Sequence, residues 1–136
     1  MADGLTLEVA TPQRSVVAET VDEVVAPGIE GSFGVLPGHA PFLTTLGVGE
    51  LTYRRGREEY HLAVNGGFAE VRSDKVIVLA DAAERPPDID RARAERAQER
   101  AEQRLAGRGQ DEIDYTRAAA ALARALTRLH VSGRGQ

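Results

Sequence analysis

The chemistry-bearing residue types are densest in one stretch: Pro27-Gly28-Ile29-Glu30-Gly31-Ser32-Phe33-Gly34-Val35-Leu36-Pro37-Gly38-His39-Ala40-Pro41. Glycines at this density can cradle a phosphate, but a phosphate loop needs Gly-Lys-Ser/Thr at the start of a helix. No lysine follows here, and the stretch runs into prolines. What the glycines do permit is tight turns and close approach of the backbone to another surface. His39 is the residue type of a general base or a metal ligand. His61 and His130 stand far along the chain, and neither a His-x-x-x-His spacing nor a carboxylate pairing supports a site. A hydrogen-bonded loop histidine is the simpler reading of His39. There is no Gly-x-Ser-x-Gly elbow. The absence of cysteine removes disulfides, thiolate zinc sites and thiol nucleophiles, and fits a reducing compartment. The expectation is therefore a protein with no catalytic residue and no metal site.

The elements around this stretch read as short strands. Leu5, Leu7 and Val9 alternate with polar residues, the period of a half-buried strand. Val16-Val17 and Val21 to Ala26 continue the pattern, as do Leu51 and Tyr53, then Tyr60, Leu62 and Val64. Phe68 and Val71 lead into the β-branched run Val76-Ile77-Val78-Leu79-Ala80. Turn signals stand between them at Thr11-Pro12, Pro27-Gly28, Pro37-Gly38, Gly47 to Gly49, Asn65-Gly66-Gly67 and Ser73-Asp74. Many short strands at this spacing predict a sandwich or flattened barrel.

Arg85-Pro86-Pro87 ends the strand region. Asp88 stands where an N-cap is expected, with Asp90 adding negative charge to the first turn of a helix over Ile89 to Ala106. Gly107 and Gly109 end that helix. Asp111 and Asp114 resemble a capping box for a second helix reaching about His130. Ala94, Ala97, Ala101 and Leu105 form one apolar side of the first helix. Its glutamates Glu95, Glu99 and Glu102 read as a solvated stripe, and Arg93, Arg96, Arg100 and Arg104 make a basic one. Ala118, Leu122, Ala125, Leu126 and Leu129 are the apolar side of the second helix, with Arg117, Arg124 and Arg128 opposite. Two such helices with a short glycine-containing link predict an antiparallel hairpin. Its seam is largely alanine, so the hairpin should be marginal and able to detach or extend.

Composition agrees with this division. The 136 residues are 42% hydrophobic but only 4% aromatic, so the core must be built from Val, Leu, Ile and Ala. The net charge of −4 hides an asymmetry. Residues 1–84 carry 6 basic against 13 acidic groups, whereas residues 85–136 carry 11 against 8. No acid follows Asp114, while Arg117, Arg124, Arg128 and Arg134 remain, which suggests an acidic or phosphate-bearing partner. Scarce aromatics and an acidic larger part argue against nucleic acid. No stretch reads as a membrane-spanning helix, and Met1-Ala2-Asp3-Gly4 lacks the features of a signal peptide.

Three blocks in register resemble one family. Gly31-x-Phe33-Gly34-Val35-Leu36-Pro37-Gly38-His39-Ala40-Pro41-Phe42-Leu43-Thr44 is similar to the signature of the epsilon subunit of bacterial and chloroplast F-type ATP synthases, called delta in mitochondria. Asn65-Gly66-Gly67-Phe68-Ala69-Glu70-Val71, followed by Val76 to Leu79 and Ala80-Asp81-Ala82-Ala83-Glu84, is similar to a second block. Ile89-Asp90-Arg91-Ala92-Arg93-Ala94 resembles the family's nucleotide-associated pattern Ile/Leu-Asp-x-x-Arg-Ala.

The resemblance implies an α+β protein. A ten-stranded β-sandwich or flattened barrel over residues 1–85 is followed by an antiparallel two-helix regulatory hairpin over residues 86–136. It implies a central-stalk subunit bound to gamma and to the ring of c subunits, coupling proton flow to ATP synthesis. The alpha/beta head is a further partner when the helices extend and inhibit ATP hydrolysis. Membrane association would come only through the complex, at the cytoplasmic face of the bacterial inner membrane. By position, Glu30, Ser32 and Phe33 fall in the loop expected to face the c ring, and His39 near gamma. Many relatives carry a carboxylate where Ser32 stands, so a backbone or apolar contact through Phe33 would serve here instead.

Some relatives bind ATP in the folded hairpin, as a regulator rather than a required cofactor. The matching positions are Glu84, Ile89, Asp90, Arg93, Ala94 and Arg100, with Arg124 and Arg128 from the second helix. On that implication four guanidinium groups would converge on a triphosphate, where charge-assisted contacts are strong. Alternatively, these arginines solubilise the helices or meet acidic residues of the head. The competing reading of the whole chain is a free-standing ligand-binding β-sandwich; a small hydrolase using His39 is a third.

Overall fold

The computed structural model describes residues 4–107 and 112–135. Gly109 and Asp111, which the sequence offers as a helix end and a cap, lie outside the described residues. Eight strands come first: β1 Leu5–Ala10, β2 Ser15–Val21, β3 Glu23–Gly28, β4 Gly31–Val35, β5 Phe42–Thr45, β6 Val48–Arg55, β7 Glu58–Val71 and β8 Lys75–Glu84. A 3-10 turn, Pro86–Asp88, leads to helices α1, Arg91–Ala106, and α2, Glu112–Ser132.

The strands run in the order β2-β1-β8-β7-β6-β3-β4, with β5 also on β7. Among the described strands only the β1–β8 pair is parallel. The sheet is not closed, because β2 and β4 end its path. Its inner faces make the main core. Leu5, Leu7 and Val9 are wholly buried, so the alternation in β1 does mark a half-buried strand. They meet Val24, Leu51, Leu62, Val76 and Val78, with Tyr53 the largest buried side chain. Burial pushes the Tyr53 hydroxyl up, against the lowering effect of Arg85, whose Nη1 donates to it at 2.9 Å.

The described residues form eight strands, not the expected ten. Asn65-Gly66-Gly67, read as a turn between strands, instead lies inside the 14-residue β7. Gly66 and Gly67 take φ of +66° and +104°, open to glycine and costly for other residues. The chain bends there without breaking its pairing. Residues 58–65 of β7 pair with β6, residues 68–71 pair with β5, and β8 follows on the other edge through both halves. Gly66 N donates to Gly47 O and Leu46 N to Gly67 O, so the ladder is carried across the bend. Pro27-Gly28 is likewise the end of β3 rather than a turn.

The start of α1 also differs from expectation. Pro86–Asp88 closes a 3-10 turn, so Asp88 is used before the helix begins and its carboxylate meets Arg14 at 3.4 Å. Asp90 is the N-cap, accepting from Arg93 N at 3.0 Å. The two helices meet along Ala94, Ala101, Ala118 and Ala125, all buried. Arg91, the first residue of α1, donates to Ser132 Oγ at the end of α2 at 2.8 Å. Leu126, assigned to the apolar side, is 45% exposed instead, because the small alanines carry the contact.

Candidate functional site

Strand register builds a platform for the helices. Glu50 and Thr52 of β6 stand opposite Ala63 and His61 of β7, and Ala63 and Asn65 stand opposite Glu84 and Ala82 of β8. Alternation turns Leu62 and Val64 into the main core and leaves His61, Ala63 and Asn65 on the outer face. Here α2 descends, and Val131 packs on Ala63 and Ile89 in a cluster separate from the main core. Three such side chains contribute on the order of 3–5 kcal/mol at most.

Two bidentate ion pairs flank that cluster. Arg128 Nε and Nη2 donate to the two oxygens of Glu84 at 2.7 and 3.0 Å. Arg134 Nε and Nη2 donate to those of Glu50 at 2.9 and 3.0 Å. Two parallel donors on one carboxylate fix direction as well as charge. Burial pushes the Glu50 carboxyl up, but the hydrogen bonds and charge of Arg134, helped by His61 and His130, outweigh it and hold it below its usual value.

Between the two helices and the platform lies a cavity of about 360 Å³. Its walls are largely small: Ala63, Ala82, Ala97, Ala101, Ala118, Ala121 and Ala125, with Val48. Arg100, Arg104, Arg124, Arg128, Glu84, Asn65 and Thr127 supply polarity. Arg128 is committed to Glu84. Arg100 and Arg124 have no ion-pair partner among the described residues. An apolar slot edged by unpaired guanidinium groups suits a ligand with a flat apolar part and anionic oxygens.

Of the sequence candidates, Glu84, Arg100, Arg124 and Arg128 come together at this cavity. Ile89, Asp90, Arg93 and Ala94 do not line it: Ile89 packs under Val131, Asp90 caps α1, Arg93 is exposed and Ala94 is sealed in the helix contact. Arg104, Asn65 and Thr127 line it without having been singled out as ligands. Nor did the sequence connect His61 and His130 to a carboxylate. Both approach Glu50, at 3.0 and 3.6 Å, across a separation that only the strand register and the returning helix close.

The glycine-rich stretch forms a second surface. Residues 31–41 lie largely at the surface, with Val35 buried in the core. Glu30 is exposed at the tip of the β3–β4 hairpin, and Ser32 is exposed near the start of β4. Phe33 is half-buried and meets Phe42 edge-on, with ring centroids 5.3 Å apart. His39 lies beyond Phe42, 6.4 Å from its ring, with Nδ1 2.6 Å from Ala40 O. On the outer sheet face Phe68 stands directly opposite Leu79, each 58% exposed. Leu43, 71% exposed, lies diagonally across β5 from Phe68. Contiguous apolar exposure of this kind marks a partner face.

No described helix is long and apolar enough to cross a membrane, and among the described residues no cluster of ligands could hold a metal ion. Residues 4–86 match the family described as ATP synthase, Delta/Epsilon chain, beta-sandwich domain, and residues 88–133 match ATP synthase, Delta/Epsilon chain, long alpha-helix domain. The chain is 53% identical over 133 residues to the ATP synthase epsilon chain of Nitratidesulfovibrio vulgaris (strain DP4), covering 98% of each. It is 54% identical over 132 residues to the ATP synthase epsilon chain of Syntrophobacter fumaroxidans, covering 97% of this chain and 98% of that one. Its fold is similar to a chain of the Euglena gracilis mitochondrial ATP synthase OSCP/F1/c-ring structure, with TM-score 0.82, 23% identity and coverage of 97% and 82%. It is also similar to a chain of the central stalk and c-ring of the Tetrahymena thermophila mitochondrial ATP synthase, with TM-score 0.64, 14% identity and coverage of 95% and 96%.

Proposed function

As the chain belongs to the delta/epsilon family of ATP synthase chains, we propose that it is a non-catalytic central-stalk subunit, coupling proton flow to ATP synthesis at the cytoplasmic face of the bacterial inner membrane. Residues 1–85 dock on gamma and on the c ring. Residues 86–136 form an antiparallel hairpin, a reading that the contact between Arg91 and Ser132 supports. Exposed Glu30 and Ser32, with the Phe33–Phe42–His39 ring group, support a docking role for the glycine-rich surface. The apolar strip of Leu43, Phe68 and Leu79 favours a permanent partner over a free-standing ligand-binding module.

The hairpin is the regulatory part: released and extended, it reaches the alpha/beta head and inhibits ATP hydrolysis. The observation that carries this reading is how it sits, on a separate three-residue cluster and two bidentate ion pairs rather than in the main core. Such a contact is reversible. A chain lacking residues 86–136 is expected to bind gamma and the c ring as before but to inhibit a soluble ATPase at least tenfold less. Unchanged inhibition by the truncated chain would refute the regulatory role.

ATP is the ligand proposed for the cavity, with Arg100 and Arg124 on the phosphates and Arg128 joining them if Glu84 gives it up. Bound there, it would hold the compact form by population shift. Millimolar ATP is expected to shift the backbone amide signals of Arg100 and Arg124, and an Arg100→Ala, Arg124→Ala variant to weaken binding about 30-fold or more. No shift in the unaltered chain would remove ATP from the scheme and leave the hairpin's inhibitory role standing.

A further inference from the structure

We propose that the two helices swing away from the sheet about the Ile89–Asp90 link, while Arg85 to Asp88 stays fixed to the strands as the base of that pivot. The inference rests on the detachable hairpin proposed above and locates where it moves.

Two neighbouring residues at the end of β8 hold different parts of the molecule. Glu84 takes Arg128 of α2. Arg85 keeps the extended backbone, with φ −78° and ψ 156°, and reaches the strands instead. Its Nη1 donates to the Tyr53 hydroxyl at 2.9 Å and its Nη2 to Val16 O at 3.3 Å. The same guanidinium lies 6.0 Å from the centre of the Tyr53 ring, which stacks on Tyr60 at 5.0 Å. Arg85 is thereby tied to β2 and β6, and neither strand moves with the helices. Withdrawing it would strip a charge-assisted bond from a tyrosine only 1% exposed, where water does not readily replace it. Pro86, next in the chain, is buried. Asp88 N donates to Arg85 O at 2.9 Å and Ile89 N to Pro86 O at 3.2 Å, which closes the 3-10 turn on this clamp. The Arg14–Asp88 pair is exposed and adds little hold, but it sets Asp88 beside the β1–β2 connection.

Beyond the link the chain is tied the other way. Asp90 Oδ1 accepts from Arg93 N and Asp90 O from Ala94 N, both at 3.0 Å, so the side chain and the carbonyl of Asp90 travel with α1. Between the backward bond of Ile89 N and these forward bonds, the described hydrogen bonds leave three rotations untied: φ and ψ of Ile89 and φ of Asp90. Their values, −83°, 124° and −78°, lie in the broad extended region, where such angles change without steric cost. What restrains them is packing, because Ile89 clusters with Val131, and Val131 leaves with α2. Release then breaks the Val131 contact and the two carboxylate pairs but keeps the Arg85 clamp and the cap of α1.

The chain has no cysteine, so two bridges can be compared in the full chain with one bismaleimide. Each replaces an arginine–carboxylate contact: Arg14→Cys with Asp88→Cys before the link, and Glu84→Cys with Arg128→Cys across it. Inhibition of a soluble ATPase by each bridged chain is measured against the same variant left unbridged. The 14–88 bridge is expected to change inhibition less than twofold, and the 84–128 bridge to lower it at least tenfold. Amide exchange in the Glu50→Gln, Glu84→Gln variant tests the far side of the link: Ala94, bonded to Asp90 O, should keep its protection while Val131 loses its own. A 14–88 bridge that lowers inhibition as far as the 84–128 bridge puts the pivot before Asp88 and overturns the proposal, with the detachable hairpin left standing. Ala94 exchanging as fast as Val131 puts it inside α1 and overturns the proposal equally. Full inhibition by the 84–128 bridged chain overturns both the pivot and the detachable hairpin.

Discussion

Gly67→Ala is expected to destabilise the fold by about 3–4 kcal/mol. Two costs combine. At φ +104° an alanine pays the strain of a backbone region that L residues rarely adopt. A Cβ there would also lie 2.7 Å from Ala80 Cα and inside the contact distance of Leu79 O, on the strand paired with it. Those atoms are backbone and cannot swing aside. The strand must then separate from β8 or lose its bend, and the bend is what lets β7 pair with β6 and β5 in succession. Gly34→Ala in β4 is the control, since a Cβ there meets nothing within 4 Å and no positive φ is required. It should lie within about 0.5 kcal/mol of the unaltered chain. Urea unfolding of the two variants checks this. Equal midpoints would show that the sheet absorbs the bend elsewhere.

The same bend marks where the sequence could be read and where it could not. Strand alternation was legible because burial of one face imposes a two-residue period, as in Leu5-Thr6-Leu7-Glu8-Val9. The strand count was not, since Asn65-Gly66-Gly67 carries the composition of a turn while its neighbours on both edges keep it paired. Pairing is a property of the partner strands, and local composition does not encode it. Asp88 and Asp90 are both plausible caps by type, and the choice fell to Asp90 because two prolines closed a 3-10 turn first. For the candidate site, Arg100, Arg124 and Arg128 could be named from family resemblance and helix periodicity. The carboxylates that seat the hairpin could not. Glu50 lies 84 residues from Arg134 and Glu84 lies 44 from Arg128. In sequence each is one acid among 21.

Arg128 therefore has two competing demands on it. As a strut it is satisfied by Glu84; as the anion ligand proposed above it would have to loosen that pair. A polyphosphate entering between Arg100 and Arg124 would offer Arg128 more oxygens than Glu84 does, while the Arg134 pair and Val131 keep the end of α2 seated. In the proposed scheme ligand binding and docking are coupled through one guanidinium, and the Glu50 strut is what would let the Glu84 strut open without releasing the helix.

That division of labour gives the second large effect. Replacing Glu50 and Glu84 together by glutamine is expected to lower the docked-to-undocked ratio of the hairpin about 20- to 30-fold, against about fivefold for either change alone. Near-additivity is expected because Arg128, on α2, and Arg134, two residues beyond its end, pair with carboxylates on different strands and share neither. Glutamine keeps the size and one acceptor of each side chain, so the apolar seat of Val131 on Ala63 and Ile89 is preserved and the loss reports the charge pairs. Amide hydrogen exchange separates the consequences. Protection at Val131 and Ser132 should fall in the double variant, while Leu51 and Val78, inside the main core, keep theirs. Raising the salt concentration should narrow the gap between the unaltered chain and the double variant, since both struts are partly open to solvent and screening weakens them. If α2 kept its full protection with both carboxylates gone, the alanine seam and the Val131 cluster would be holding the hairpin by themselves, and a bound anion could not act on it through Glu84.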